Sequence, residues 1–215
     1  MTTGILALFF WEGNQGFSIW DEGFLWYGAQ RVLAGEVPIR DFNAYDIGRY
    51  YWSAAFMKVS GSNGLISLRM AATLFQIMTL CIGLTVLIRN SIKQSLIFWL
   101  LVIVTLIAWM IPTFRLFDIS LPILLICALS FLIEKPSDRR YFLTGLTVGL
   151  VAVFGRNHGL YGLIGSIGVM FYLFIKRDSG PKMITAFLTW SLGIVVGYLP
   201  MLIFLIFVPG FASAF

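Results

Sequence analysis

The chain has 215 residues, of which 59% are hydrophobic and 12% charged, with a formal net charge of +5 and a mean hydropathy of +0.89. So apolar a composition excludes an ordinary soluble domain and predicts an all-α, polytopic membrane protein. The positive charge is therefore read by position, as basic flanks of membrane spans, and not as a nucleic-acid footprint. Cys81 and Cys127 fall inside apolar runs, where a thiol behaves as a small hydrophobe, so they offer neither a disulfide framework nor a metal site.

In chain order, the first apolar run, Gly4 to Trp11, is well short of the roughly 20 residues that cross a hydrocarbon core. No basic segment and no small-residue cleavage site accompany it, which argues for a truncated first span over residues 1–19 and against a signal peptide. After a turn at Gly13 to Gly16 comes the long polar interruption of the chain, Trp20 to Asp46. It holds five of the ten acidic residues: Asp21, Glu22, Glu36, Asp41 and Asp46. Asp21 is placed to cap a helix that ends near Leu33, with Glu22 in the first turn and Gly35 and Pro38 as stop signals. Trp20 and Leu25 are spaced for a hydrophobic staple. Leu25, Ala29, Val32 and Leu33 share one face, and Trp26 and Tyr27 suit the headgroup region, so this helix is expected to lie in the membrane interface. Arg40, Asp41, Asp46 and Arg49 follow in a loop punctuated by Gly, Pro and Asn, and YYWSAAFMKVSG predicts a second short helix. Residues 20–63 thus read as one loop with interfacial helices, within a single membrane domain covering 1–215.

From residue 64 to 208 the pattern changes to hydrophobic runs with short connectors. Six spans are predicted, at about 65–88, 95–112, 116–133, 141–155, 159–175 and 183–207. Alternate short connectors carry Arg89 and Lys93, then Lys135, Arg139 and Arg140, then Lys176, Arg177 and Lys182, while the opposite connectors carry only Arg115 and Arg156. Eight cations against two place the basic connectors in the cytoplasm and the acidic first loop outside it.

That topology gathers ionisable groups from three distant segments on the outer face: Asp21, Glu22, Arg40, Asp41, Asp46 and Arg49; Arg115 and Asp118; and Arg156 and His158. Asp118 and Arg156, at the ends of apolar helices, cost on the order of a few kcal/mol unless they face a cavity or each other. Acids beside cations suit a phosphate-bearing ligand and a proton acceptor, since Arg recognises phosphate through a planar fork and a carboxylate accepts a hydroxyl proton.

WDEGFLWYGAQRVLAGEVPIRDF, followed by Tyr45, Gly48, Tyr50 and Tyr51 and then about six spans, resembles the opening module of the GT-C superfamily of membrane glycosyltransferases. These include protein O-mannosyltransferases and the aminoarabinose transferase of lipid A, which use polyprenyl-phosphate-linked sugars. The match lies in Asp21-Glu22 at the start of the first outer loop's helix, in the FRLFD segment with Arg115 and Asp118, and in FGRNHGLYG with Arg156 and His158. The resemblance implies sugar transfer from a polyprenyl-phosphate donor to a glycan, lipid or protein acceptor on the extracytoplasmic face of a bacterial inner membrane. It implies Asp21 as general base or ligand of a divalent metal ion, Glu22 and Asp118 orienting the site or completing a metal shell, and Arg115, Arg156 and His158 on the leaving phosphate. Arg40 and Asp41 join as substrate-binding candidates. Family members are much longer, so the chain is expected to be a fragment containing the N-terminal module.

Simpler roles compete with these. Asp21 serves equally as a helix cap and Glu22 as a partner of the helix dipole. Asp41 and Asp46 suit local ion pairs with Arg40 and Arg49, Arg156 suits snorkelling, and His158 suits a turn. The glycines at 145, 149, 155, 159, 162, 165 and 168 suit close helix packing more than a phosphate loop. Two other function classes stay open: a transporter or lipid-handling protein, which calls for ionisable groups in mid-membrane where the runs carry no Asp, Glu, Lys or Arg, and a non-catalytic scaffold.

Overall fold

A computed structural model of the chain describes residues 2–12, 16–91, 94–109, 116–176 and 180–215. Among them the regular structure is helical throughout, as composition predicts. The chain falls into two compact units, Met1–Ser120 and Leu121–Phe215.

In the first unit, α1 (Thr2–Glu12) is a short apolar helix that packs on the long α4 (Leu65–Ser91) with Ile5 fully buried. A π-helical turn, Ile19–Gly23, leads into α2 (Phe24–Leu33), and α3 (Ile47–Ser60) packs against both α2 and α4. The two helices predicted in the first loop are thus present, the second beginning at Ile47. α2 is amphipathic as expected: Ala29 is buried with Met57 and Leu68, and Val32 packs on Phe42, Ala44 and Tyr50. Gly28 lets α2 approach closely, because a Cβ there would stand 2.3 Å from the Tyr50 ring. Trp26 Nε1 donates to the Asn63 carbonyl at 2.8 Å, and the Gln30 amide bonds the same residue, tying α2 to the turn between α3 and α4. α3 ends at Gly61 in the left-handed conformation (φ 65°), which only glycine adopts without cost. α5 (Leu96–Ala108) closes the unit, which also takes in the first residues of α6 (Leu116–Glu134).

The second unit holds the rest of α6, α7 (Asp138–Phe154), α8 (Arg156–Lys176), α9 (Met183–Gly197), α10 (Leu199–Phe207) and the short α11 (Phe211–Ala214). α7 and α9 pack backbone to backbone. Cβ atoms at Gly145 and Gly149 would lie 2.0 and 2.3 Å from the carbonyl oxygens of Trp190 and Ile194. Reciprocally, Gly193 and Gly197 would place theirs 2.2 Å from the carbonyls of Phe142 and Leu146. Each helix therefore carries a small-xxx-small pair, and the two pairs mesh as in close membrane-helix packing. The glycine series expected to serve packing does so at 145, 149, 159 and 162; Gly168 has nothing within 4 Å of its would-be Cβ.

Three helices are long and apolar enough to span a membrane: Leu65–Arg89, Phe117–Glu134 and Arg156–Lys176. A fourth candidate is the pair Met183–Gly197 and Leu199–Phe207, bent by 59°. Pro200, in the first turn of α10, has no N–H to continue the ladder from α9, which accounts for the break. Of the other predicted spans, the second is described as a helix of 13 residues and the fourth as one of 17 that opens on Asp138, Arg139 and Arg140; neither is among the helices above. The expected turns at Gly13 to Gly16 and Thr113 to Asp118 lie largely outside the described residues.

Candidate functional site

The acidic pair of the first loop divides its labour. Glu22 turns inward and is 6% exposed; Asp21 points out. Glu22 meets Arg69, one turn into α4, in a two-pronged ion pair: Nε to Oε1 at 2.7 Å and a terminal guanidinium nitrogen to Oε2 at 2.8 Å. The same nitrogen donates to the Gly16 carbonyl at 2.7 Å, and the Ser18 N–H donates to Glu22 Oε2 at 3.2 Å. Arg69 is equally buried. Such fork-to-carboxylate contacts are among the strongest and most directional in proteins, and here they pin the π-helical turn to the head of α4.

The expected helix cap is corrected. Ser18, not Asp21, caps this segment: its side chain accepts the Asp21 N–H at 3.3 Å and its hydroxyl donates to Asp21 Oδ2 at 3.2 Å. Ser18 thus takes the capping position expected of Asp21, and the Asp21 carboxylate is exposed. The hydrophobic staple does not form either, since Trp20 is 89% exposed. The Asp21 side chain accepts from the Ser18 hydroxyl, and its backbone carbonyl accepts the Phe24 N–H.

Asp118 opens α6 and pairs with Arg49 of α3 at 2.6 Å, with the guanidinium 5.8 Å from the centre of the Phe117 ring. Pro122, four residues on, cannot donate to the Asp118 carbonyl, so the first turn of α6 lacks that rung. α4 links this pair to the Glu22 anchor: Phe75 packs on Phe117 at 5.1 Å and on Trp52 at 5.6 Å, and Trp52 Nε1 donates to the Ala71 carbonyl at 2.8 Å. Arg69 and Phe75 are six residues apart, about 9 Å of helix rise.

Arg40 and Asp41 form the local pair that simpler reading anticipates, with contacts of 2.8 Å at both carboxylate oxygens. Asp41 also accepts the Val37 N–H at 2.8 Å, and its own N–H returns to the Val37 carbonyl at 2.9 Å. Those contacts, with the Arg40 guanidinium foremost, hold the Asp41 carboxyl down at about 2. They clamp a tight turn in which Ile39 takes φ 73°, a costly conformation for a β-branched side chain. Asp46 is buried at the head of α3. Arg156 and His158 belong to the second unit, in the first turn of α8 and not in a Gly-rich turn; Arg156 stacks over Phe215 at 5.1 Å and His158 lies edge-on to Tyr161 at 6.1 Å. Arg115 lies outside the described residues.

No protein-family model, curated protein or solved structure matches this chain. Among the described residues no three of His, Cys, Asp and Glu are grouped to hold a metal ion. Of the two acids expected as ligands, Asp118 is engaged by the Arg49 guanidinium and Asp21 shares its carboxylate with a serine hydroxyl, so this donor set does not fit a divalent ion.

Proposed function

We propose that the chain is the acid-bearing module of a membrane glycosyltransferase of GT-C type, transferring a sugar from a polyprenyl-phosphate donor to an acceptor hydroxyl. The observation that carries this reading is the division of roles within the Asp21-Glu22 pair: a buried ion pair fixes Glu22, and an exposed carboxylate stands beside it on the same turn. A general base needs a held direction and an open approach together; the Ser18 hydroxyl holds the Asp21 carboxylate, and its exposure supports the reading.

In the proposed step, Asp21 takes the proton of the acceptor hydroxyl as its oxygen attacks the anomeric carbon. The new C–O bond forms while the bond from that carbon to the donor phosphate breaks, and the electron pair leaves with the phosphate. Arg49, held at Asp118, supplies a cation for the departing charge, so the leaving group needs no proton. The apolar helices keep the lipid carrier in the bilayer, and the charged residues of the first loop lie outside the cytoplasm. Glu22 has a positioning role through Arg69 and does not touch substrate. The test is transfer of labelled sugar from a polyprenyl-phosphate donor by the full-length protein in proteoliposomes. Asp21→Asn should lower transfer by at least about 10²-fold and Asp138→Asn should leave it near wild type; equal activity in all three proteins would sink the assignment.

A further inference from the structure

At the end of the second unit that carries its basic connectors, a cavity of about 510 Å³ opens beside α7, α8 and α9. It is within the roughly 300–1,000 Å³ of small-molecule sites. Its inner wall is built by the buried Tyr141, Leu173 and Ala186, which pack with Trp190. Its outer rim is formed by Phe174, Ile184, Phe187 and Leu188, all more than half exposed, so the cavity is a groove open to the side. One of its walls, α8, is long and apolar enough to span a membrane.

Charge marks one end of it. Lys182, exposed at the head of α9, is the charged residue among those that line the groove. Lys135 immediately precedes the lining residue Pro136, and Lys176 follows Phe174 by two positions. Among the described residues at this end, the cations are Lys135, Arg139, Arg140, Lys176 and Lys182, against the acids Glu134 and Asp138. Glu134 is engaged by Arg140 at 3.0 Å. An apolar slot with a cation at its lip matches one kind of molecule, an acyl chain ending in a negatively charged headgroup. Short basic connectors also predict that this end meets the leaflet where anionic lipids collect.

We propose that this groove binds an anionic phospholipid of the surrounding leaflet, one acyl chain lying between α8 and α9 and its phosphate at Lys182. The claim is independent of the glycosyltransferase reading and concerns the other unit of the chain. Native mass spectrometry of the full-length protein, with phosphatidylglycerol and phosphatidylcholine of identical chains, tests it directly. One retained phosphatidylglycerol is expected, favoured over phosphatidylcholine about five-fold, the effect of roughly one lysine near a charged headgroup. Lys182→Gln should reduce that preference to parity. Leu188→Trp, which fills the open side from an already exposed position, should lower retention of both lipids, and Lys58→Gln in the first unit should change neither. Soluble glycerol phosphate should fail to compete, since the chain supplies the hold. Equal retention of the two lipids by the wild-type protein, or a preference that survives Lys182→Gln, would overturn the proposal.

Discussion

Replacing Arg69 by methionine removes the guanidinium from a buried site while filling most of its volume. The Glu22 carboxylate is then stranded at 6% exposure with the Ser18 N–H as its remaining donor among the contacts described, and the Gly16 carbonyl loses its partner. Breaking one side of a buried pair costs about 3–5 kcal/mol, against roughly 0.2–1 kcal/mol for an exposed pair. The π-helical turn is short and close to solvent, so the carboxylate has a partial escape route, and a cost of about 3 kcal/mol is expected at the low end of that range. In the double variant Glu22→Gln with Arg69→Met no charge is stranded, and most of the loss should return, giving a coupling of about 2 kcal/mol. Denaturant unfolding of the full-length protein in detergent micelles measures the cycle, and limited proteolysis within residues 16–23 reports whether the turn itself has loosened. A single-variant cost below about 1 kcal/mol, or strictly additive effects, would refute the view that this pair anchors the loop.

Gly149→Ala should destabilise the α7–α9 contact by about 1–3 kcal/mol, because its Cβ would stand 2.3 Å from the Ile194 carbonyl, whereas Gly168→Ala meets open space and should be neutral or gain up to about 1 kcal/mol in the same unfolding assay. The Asp41 carboxyl is depressed to about 2 from an unfolded value of about 3.9, so its contribution to the turn is fully present above pH ~4 and lost as pH falls through about 2. Carboxyl-carbon NMR should show that low midpoint and its return toward the ordinary range in Arg40→Ala. Trp26→Phe keeps the ring but removes the donor to Asn63, and should cost about 0.5–1.5 kcal/mol with α2 loosened in hydrogen exchange.

How legible this protein is in its sequence depends on the range of the contact. Helices were legible wherever the apolar pattern runs long, as in α4, α6 and α8, because hydrophobicity and length are local properties. The first-loop helices were legible at their ends, which Gly35, Pro38 and Gly61 punctuate, and within three residues at their starts. The cap was misplaced although Ser18 precedes Asp21 at the three-residue spacing of a capping pattern, a signal that competed with an equally plausible Asp. The ion pairs were not legible: Glu22 finds Arg69 47 residues away, and Asp118 finds Arg49 69 residues away. An arginine one turn into a long apolar helix does demand a counter-charge, and that rule could have nominated Arg69, though not Glu22 as its partner. Likewise each small-xxx-small pair stands plainly in its own helix, while the meshing of 145 and 149 with 193 and 197 is a property of the folded bundle.

The central claim is that Asp21 is the working carboxylate and Glu22 its anchor. The most direct measurement is single-turnover sugar transfer by the full-length Asp21→Asn protein, with folding verified by an unchanged unfolding midpoint. A positioned base contributes about 10²–10⁴-fold, so the rate should fall by at least about 10² while the donor's binding is kept. A folded Asp21→Asn protein that transfers sugar at the wild-type rate would contradict the account.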